Sequence, residues 1–122
     1  MSTFINLSNH PSDKWNVTQL EAAKQYGEVI DIPFPQIGPE ASKGDVASLA
    51  DEYFARIQKY EKPIVMIQGE FTFTYALVRR LEDDGIPAVS TCSRRIANEL
   101  QQNDGTVIKT SVFDFVGFRE YY

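Results

Sequence analysis

Apolar positions along the chain fall into short runs broken by polar turns, and their spacing changes from run to run. Thr3 to Leu7 reads as a short buried strand. It breaks into Ser8-Asn9-His10-Pro11-Ser12, a polar turn that holds the chain's single histidine. Leu20, Ala23 and Tyr26 then make a narrow helical stripe. Asn16 as N-cap puts Gln19 at N3, with Trp15 placed to staple onto Leu20, while Thr18 and Glu21 offer a competing capping box two residues later. Gly27 predicts the stop. Glu28 to Ile32 reads as a second strand, and Pro33, Pro35, Gly38 and Pro39 impose a loop after it. Ser42 and Asp45 offer N-caps for a long helix, in which Val46, Leu49, Ala50, Tyr53, Ile57 and Tyr60 recur at helical spacing. Pro63 marks its exit.

Ile64 to Ile67 is a third strand, and its unbroken hydrophobicity suits a parallel strand covered on both faces. Gln68-Gly69-Glu70 leads into a helix carrying Phe73, Leu77 and Leu81 and ending at Gly85. Pro87 to Thr91 is a fourth strand. The order β-α-β-α-β-α-β predicts an α/β sheet with right-handed crossovers. The tail departs from that rhythm: Asn103-Asp104-Gly105 is a turn signal, and Val107 to Phe118 is rich in β-formers. Phe113 and Phe115 fall on one side of that pleat, with Val112, Asp114 and Val116 on the other. Arg94 to Gln101 fits a strand of a hairpin, although Ile96, Ala97 and Leu100 also suit a helix face. The turn signal between the two stretches favours the hairpin. No repeat, linker or low-complexity segment divides the chain, so residues 1–122 read as one domain.

Composition narrows the function classes. Of the 122 residues, 43% are apolar and 24% charged, the profile of a folded globular chain. No run approaches the ~20 apolar residues of a membrane span, and no signal-peptide pattern opens the chain, so the expected location is cytoplasmic. One cysteine, Cys92, excludes an internal disulfide framework and a Cys-based zinc site within one chain. A formal net charge of −5 argues against coating long nucleic acid. It leaves room for a small anion held by local donors.

In an open α/β sheet, ligands bind at the carboxyl ends of the strands. The first strand ends there in Ser8, Asn9 and His10, the third in Gly69 and Glu70 followed by Thr72, and the fourth in Ser90, Thr91, Cys92 and Ser93 with Arg94 and Arg95 directly after. Backbone N–H groups after Gly69 favour an anion, and glycine permits close backbone approach. Arg94 or Arg95 suits bidentate phosphate contacts, while Ser, Thr and Asn suit ribose hydroxyls or base edges. Glu70 suits an adenine amino group or a 2′-hydroxyl. These are parts for holding a nucleotide, without the glycine pattern of a dinucleotide fold or a P-loop. Plainer roles stand beside them: His10 bonding within its turn, Glu70 capping the third helix, the hydroxyls closing a strand, the arginines forming a solvated pair, Cys92 a small buried residue, and Trp15, Phe113 and Phe115 in the core, with the border of a ligand or a partner subunit as the alternative for Trp15.

Through "NLSNHPSDKW", "DIPFPQIGPEA", "IQGEFTFTYALVRRLEDDGI", "STCSRR" and "VFDFVGFREY", the chain resembles the minimal CARF proteins of type III CRISPR systems, which are single Rossmann-like domains. That resemblance implies binding of a cyclic oligoadenylate messenger, with cyclic tetra-adenylate as the leading candidate, across the two-fold axis of a homodimer and without metal or cofactor. Carried over, Ser8, Asn9, His10, Gly69, Glu70, Thr72 and Thr91 to Arg95 would line the site. A two-fold ligand with four phosphates could be held by two modest pockets, and overall acidity would help reject long RNA. The protein would sequester the messenger or degrade it. As a metal-independent ring nuclease it would align the ribose 2′-hydroxyl for in-line attack, with His10 as general base or acid and Arg94 or Arg95 stabilising the phosphorane. A small hydrolase or transferase using Cys92 with His10 is a separate class, and a purely structural interaction module is another.

Overall fold

The computed structural model describes residues 2–122, and for 97–100 and 109–111 the backbone alone. Five strands form one sheet: β1 Thr3–Ser8, β2 Glu28–Asp31, β3 Pro63–Gln68, β4 Ala88–Gln101 and β5 Val107–Glu120. Their order is β2-β1-β3-β4-β5, with β1 to β4 parallel and β5 antiparallel to β4. This is a Rossmann-like open α/β sheet with a C-terminal hairpin.

Among the described residues three α-helices cover it, α1 Val17–Lys24, α2 Lys43–Gln58 and α3 Phe71–Asp83. One face packs Ile5, Leu7, Val65 and Ile67 against Ala50 and Ile57 of α2 and Phe73, Leu77 and Leu81 of α3. The other packs Phe4, Met66 and Val89 against Ala23 of α1. Burial on both faces is why β1 and β3 read as nearly unbroken apolar runs.

The predicted caps form. Asn16 Oδ1 accepts from Gln19 N at 2.9 Å. Ser42, not Asp45, is the N-cap of α2: its hydroxyl accepts from Asp45 N at 3.0 Å, and Asp45 returns the bond to Ser42 N at 3.0 Å. Gly27, at φ 152°, lets the chain turn into β2 where a Cβ would lie 2.0 Å from the Ser2 carbonyl oxygen.

The fourth strand corrects the sequence reading. It does not end at Ser90 to Ser93 but runs to Gln101. β4 pairs with β3 only at Ala88 and Val89, then leaves the sheet. It can leave because β5 satisfies its other edge along the whole length, from Val89↔Glu120 to Gln101↔Val107. Residues 94–101 are therefore strand, and the hairpin closes through Gln102–Thr106 with Gly105 at φ 91°. A register shift between Cys92 and Ser93 leaves Val116 as the extra residue on β5. That one residue puts Phe115 on the same face as Phe118, and their ring centroids lie 5.1 Å apart.

Candidate functional site

The strand order locates a crevice that the sequence left open. From β1 the chain steps to β2 on one side and to β3 on the other, so the topological switch point lies between β1 and β3 at their carboxyl ends. A cleft of about 1050 Å³ opens there on the α1 face. Ser8, Asn9, His10, Lys14 and Trp15 wall it from the β1 side, Gln68 and Gly69 form its floor, and Thr91, Ser93 and Phe113 close the hairpin side.

The β1 wall is held by a polar residue inside the apolar strand. Asn6, 2% exposed, donates through Nδ2 to the His10 carbonyl at 2.8 Å and to Asp31 Oδ1 at 3.0 Å. Its Oδ1 accepts from the Ser8 hydroxyl at 2.7 Å, and His10 N donates to Ser8 Oγ at 3.2 Å. Asp31 at the end of β2 also accepts from Ser12 N at 3.2 Å and Ser12 Oγ at 3.0 Å. The indole N–H of Trp15 donates to the His10 carbonyl at 3.1 Å. The backbone of the turn is thus tied inward while the His10 side chain stays exposed. Asn6 and Asp31 are positioning residues that the sequence reading missed. An amide standing between Ile5 and Leu7 was the signal for one of them.

The floor is shaped where β4 splits from β3. Gln68 Oε1 accepts from Thr91 N at 3.0 Å and from Thr91 Oγ1 at 2.6 Å, replacing a ladder partner with a side chain. On the opposite face, the Tyr121 hydroxyl donates to the Ile67 carbonyl at 2.6 Å, and burial pushes its pKa up, keeping it a donor.

Other candidate residues are engaged differently. The Glu70 carboxylate caps α3, accepting from Phe73 N at 2.7 Å and from the Thr72 hydroxyl at 2.6 Å. The Thr72 hydroxyl and the Phe73 amide hold Glu70 below the ordinary carboxylate range. Neither Glu70 nor Thr72 lines the cleft. Gly69 does line it, yet the space its missing Cβ leaves is filled by the Phe34 ring, whose Cζ would sit 2.3 Å from that atom. The close approach at Gly69 is by a protein side chain.

Register separates the residues of β4. Val89, Thr91 and Ser93 share the α1 face, and alternation puts Arg95 there too, opposite Phe113. Cys92 and Arg94 alternate onto the other face, Arg94 opposite Asp114. Of the stretch Thr91 to Arg95, only Thr91 and Ser93 line the cleft: Arg95 lies beyond the lining on the same face, and Cys92 and Arg94 lie behind the strand. A Cys92–His10 pair lacks the shared face that joint catalysis requires.

Among the described residues that line the cleft, none is Asp or Glu, and Lys14 and His10 are present. In a chain of net charge −5 this is a locally favourable place for an anion. A second groove of about 880 Å³ lies between α2 and α3, with Phe71, Tyr75 and Arg79 on its walls and the Arg80–Asp51 ion pair, 2.6 Å, beside it. It gathers fewer convergent hydrogen-bonding groups than the switch-point cleft.

Residues 2–119 match the family model described as Uncharacterized protein MJ1673 family. The chain belongs to that family. The match runs from β1 to Arg119 in β5, so the family's shared sequence spans both the parallel core and the hairpin that wall the cleft. No curated protein matches the chain. Among the described residues, no helix is long and apolar enough to cross a membrane.

Proposed function

We propose that the switch-point cleft binds a cyclic oligoadenylate, with cyclic tetra-adenylate as the first candidate, and that the protein sequesters or degrades this messenger in the cytoplasm as part of type III CRISPR signalling. The observation that carries the reading is the lining itself. Hydroxyl, amide and cationic groups from β1, β3 and the hairpin meet in one acid-free cleft within an acidic chain. Asn9, Gln68, Thr91 and Ser93 suit ribose and base edges, and Lys14 with Arg95 suits phosphate. The resemblance of the sequence to minimal CARF proteins supplies the identity of the ligand.

A homodimer belongs to the same proposal. Beyond Ser93 the hairpin is a two-stranded ribbon whose far face exposes the paired Ile96 and Val112. Such a ribbon is marginal alone in water, and a second copy would cover it.

Cleavage is the second reading, favoured by the exposed imidazole of His10 on the cleft wall. The ribose 2′-hydroxyl would lose its proton to His10 and attack phosphorus. The P–O5′ bond would break and the leaving 5′-oxygen would take the proton back from the His10 imidazolium, directly or through water, giving a 2′,3′-cyclic phosphate and a 5′-hydroxyl. No metal enters this scheme.

Incubation with radiolabelled cyclic tetra- and hexa-adenylate, read on native and denaturing gels, tests both. A shifted band with intact ligand supports sequestration, and linear products that vanish in His10→Ala support cleavage. Neither shift nor products with either ring ends the proposal.

A further inference from the structure

Phe113 is 67% exposed, yet it lines the cleft beside Ser93 and Thr91. The aromatics inward of it on the same face are already used. Phe115 is buried against Phe118, and Phe118 lies 5.1 Å from the Phe4 ring in the core. The register shift at Cys92 and Ser93 brings all three into one row. Phe113 is its outermost member, held by strand pairing opposite Arg95 rather than by packing.

Trp15 supplies an aromatic from the β1 side of the same cleft. Its indole is fixed at both ends of the ring system: the N–H donates to the His10 carbonyl at 3.1 Å, and the ring meets Phe4 edge-on at 6.4 Å. An oriented indole and an exposed phenyl ring therefore border one space whose lining holds Lys14 and no carboxylate, and Arg95, outside that lining, pairs with Phe113 on the same face of the ribbon.

We infer that Phe113 and Trp15 wall a nucleobase subsite, in which Phe113 stacks on a purine and Arg95 reaches the adjoining phosphate. This deepens the reading above and rests on it for the identity of the whole ligand. Base-on-aromatic stacking is sensitive to the π-face and tolerant of base identity. The subsite would thus distinguish nucleotides from sugar phosphates, while hydrogen bonds to Gln68 and Asn9 would select among bases.

Trp15 is the chain's single tryptophan, so its emission reports on the cleft without a label. The test is a titration of Trp15 fluorescence with cyclic tetra-adenylate, AMP and ribose 5-phosphate, checked by equilibrium dialysis, in wild type, Phe113→Tyr and Phe113→Leu. The side chain is exposed, so both variants keep the fold. Wild type and Phe113→Tyr should bind the adenine ligands alike, and Phe113→Leu should weaken them roughly ten- to hundredfold. Ribose 5-phosphate should bind far more weakly and ignore the substitution. Equal affinity of Phe113→Leu and wild type for cyclic tetra-adenylate overturns the subsite and leaves the messenger reading standing. Phe113-dependent binding of AMP with no binding of the cyclic ligand overturns the messenger reading and keeps the subsite. Binding of ribose 5-phosphate as tightly as AMP, or no binding of any adenine ligand, overturns the subsite.

Discussion

The carboxamide oxygen of Gln68 accepts both the backbone N–H of Thr91, at 3.0 Å, and its hydroxyl, at 2.6 Å. This single side chain bridges the gap that opens when β4 leaves β3, and the gap is the floor of the cleft. Gln68→Ala leaves a part-buried N–H and hydroxyl without their acceptor. The expected cost is about 1–3 kcal/mol of stability, read by urea denaturation. A variant as stable as wild type would mean that water replaces the carboxamide without loss.

Arg94 and Arg95 should part company in binding. Arg95 shares the face of Ser93, whereas Arg94 lies opposite Asp114 on the other face. A charged hydrogen bond contributes about 1.5–3 kcal/mol. Arg95→Ala is therefore expected to weaken cyclic tetra-adenylate binding by roughly tenfold or more, and Arg94→Ala to leave it within about twofold. Isothermal titration of both variants decides the point, and the reverse order would mean that the register does not govern the site.

Gly69→Ala should destabilise through Phe34. The added Cβ would lie 2.3 Å from Phe34 Cζ, and Phe34 is held edge-on to Phe73 at 5.2 Å, so the ring has little room to yield. Overpacking of this kind costs about 1–3 kcal/mol. In the double variant with Phe34→Leu much of that cost should disappear. Additive losses in the double-mutant cycle would place the strain in the backbone instead.

Glu70 predicts a pH signature. Its carboxylate is stabilised in the folded chain by the Thr72 hydroxyl and the Phe73 amide, so its folded pKa lies below its unfolded one. A group lowered in this sense contributes stability that is present above its unfolded pKa and lost as pH falls through its folded pKa. The stability difference between wild type and Glu70→Gln should hold at neutral pH and shrink on acidification through the carboxylate range. Thermal melts of both proteins at a series of pH values measure it, and a difference that stays constant would rule out the carboxylate as the source.

The parallel core was legible because its signals are local. Asn16 and Ser42 announce helix starts, Gly27 announces a stop, and the apolar run of β3 needs burial on both faces. The hairpin was legible through Asn103-Asp104-Gly105. The continuity of β4 was not, because polar Ser90 to Ser93 passes for the end of one strand before a second begins at Arg94, and only pairing with β5 joins the two. The site divided along the same line. Ser8, Asn9, His10, Thr91 and Ser93 follow from strand ends meeting at one edge. Glu70 and Thr72 turned to each other because a carboxylate at a helix start finds free N–H groups within reach. Asn6, Asp31 and Phe113 depend on contacts between segments distant in the chain, which periodicity cannot report.

The long β4–β5 ribbon also sets an order of assembly. It closes through five residues, Gln102–Thr106, whereas pairing β1 with β3 must bring residues 3–8 to residues 63–68 across two helices and a proline-rich loop. Loop-closure entropy favours the nearer partners, so transition-state φ-values should be high in the ribbon and low at Ser8 and Gln68. The ribbon, marginal by itself, would then be the earliest pairing to form and would persist once the sheet joins it. The cleft, whose walls come from β1, β3 and that ribbon, would be among the last features of the chain to take shape.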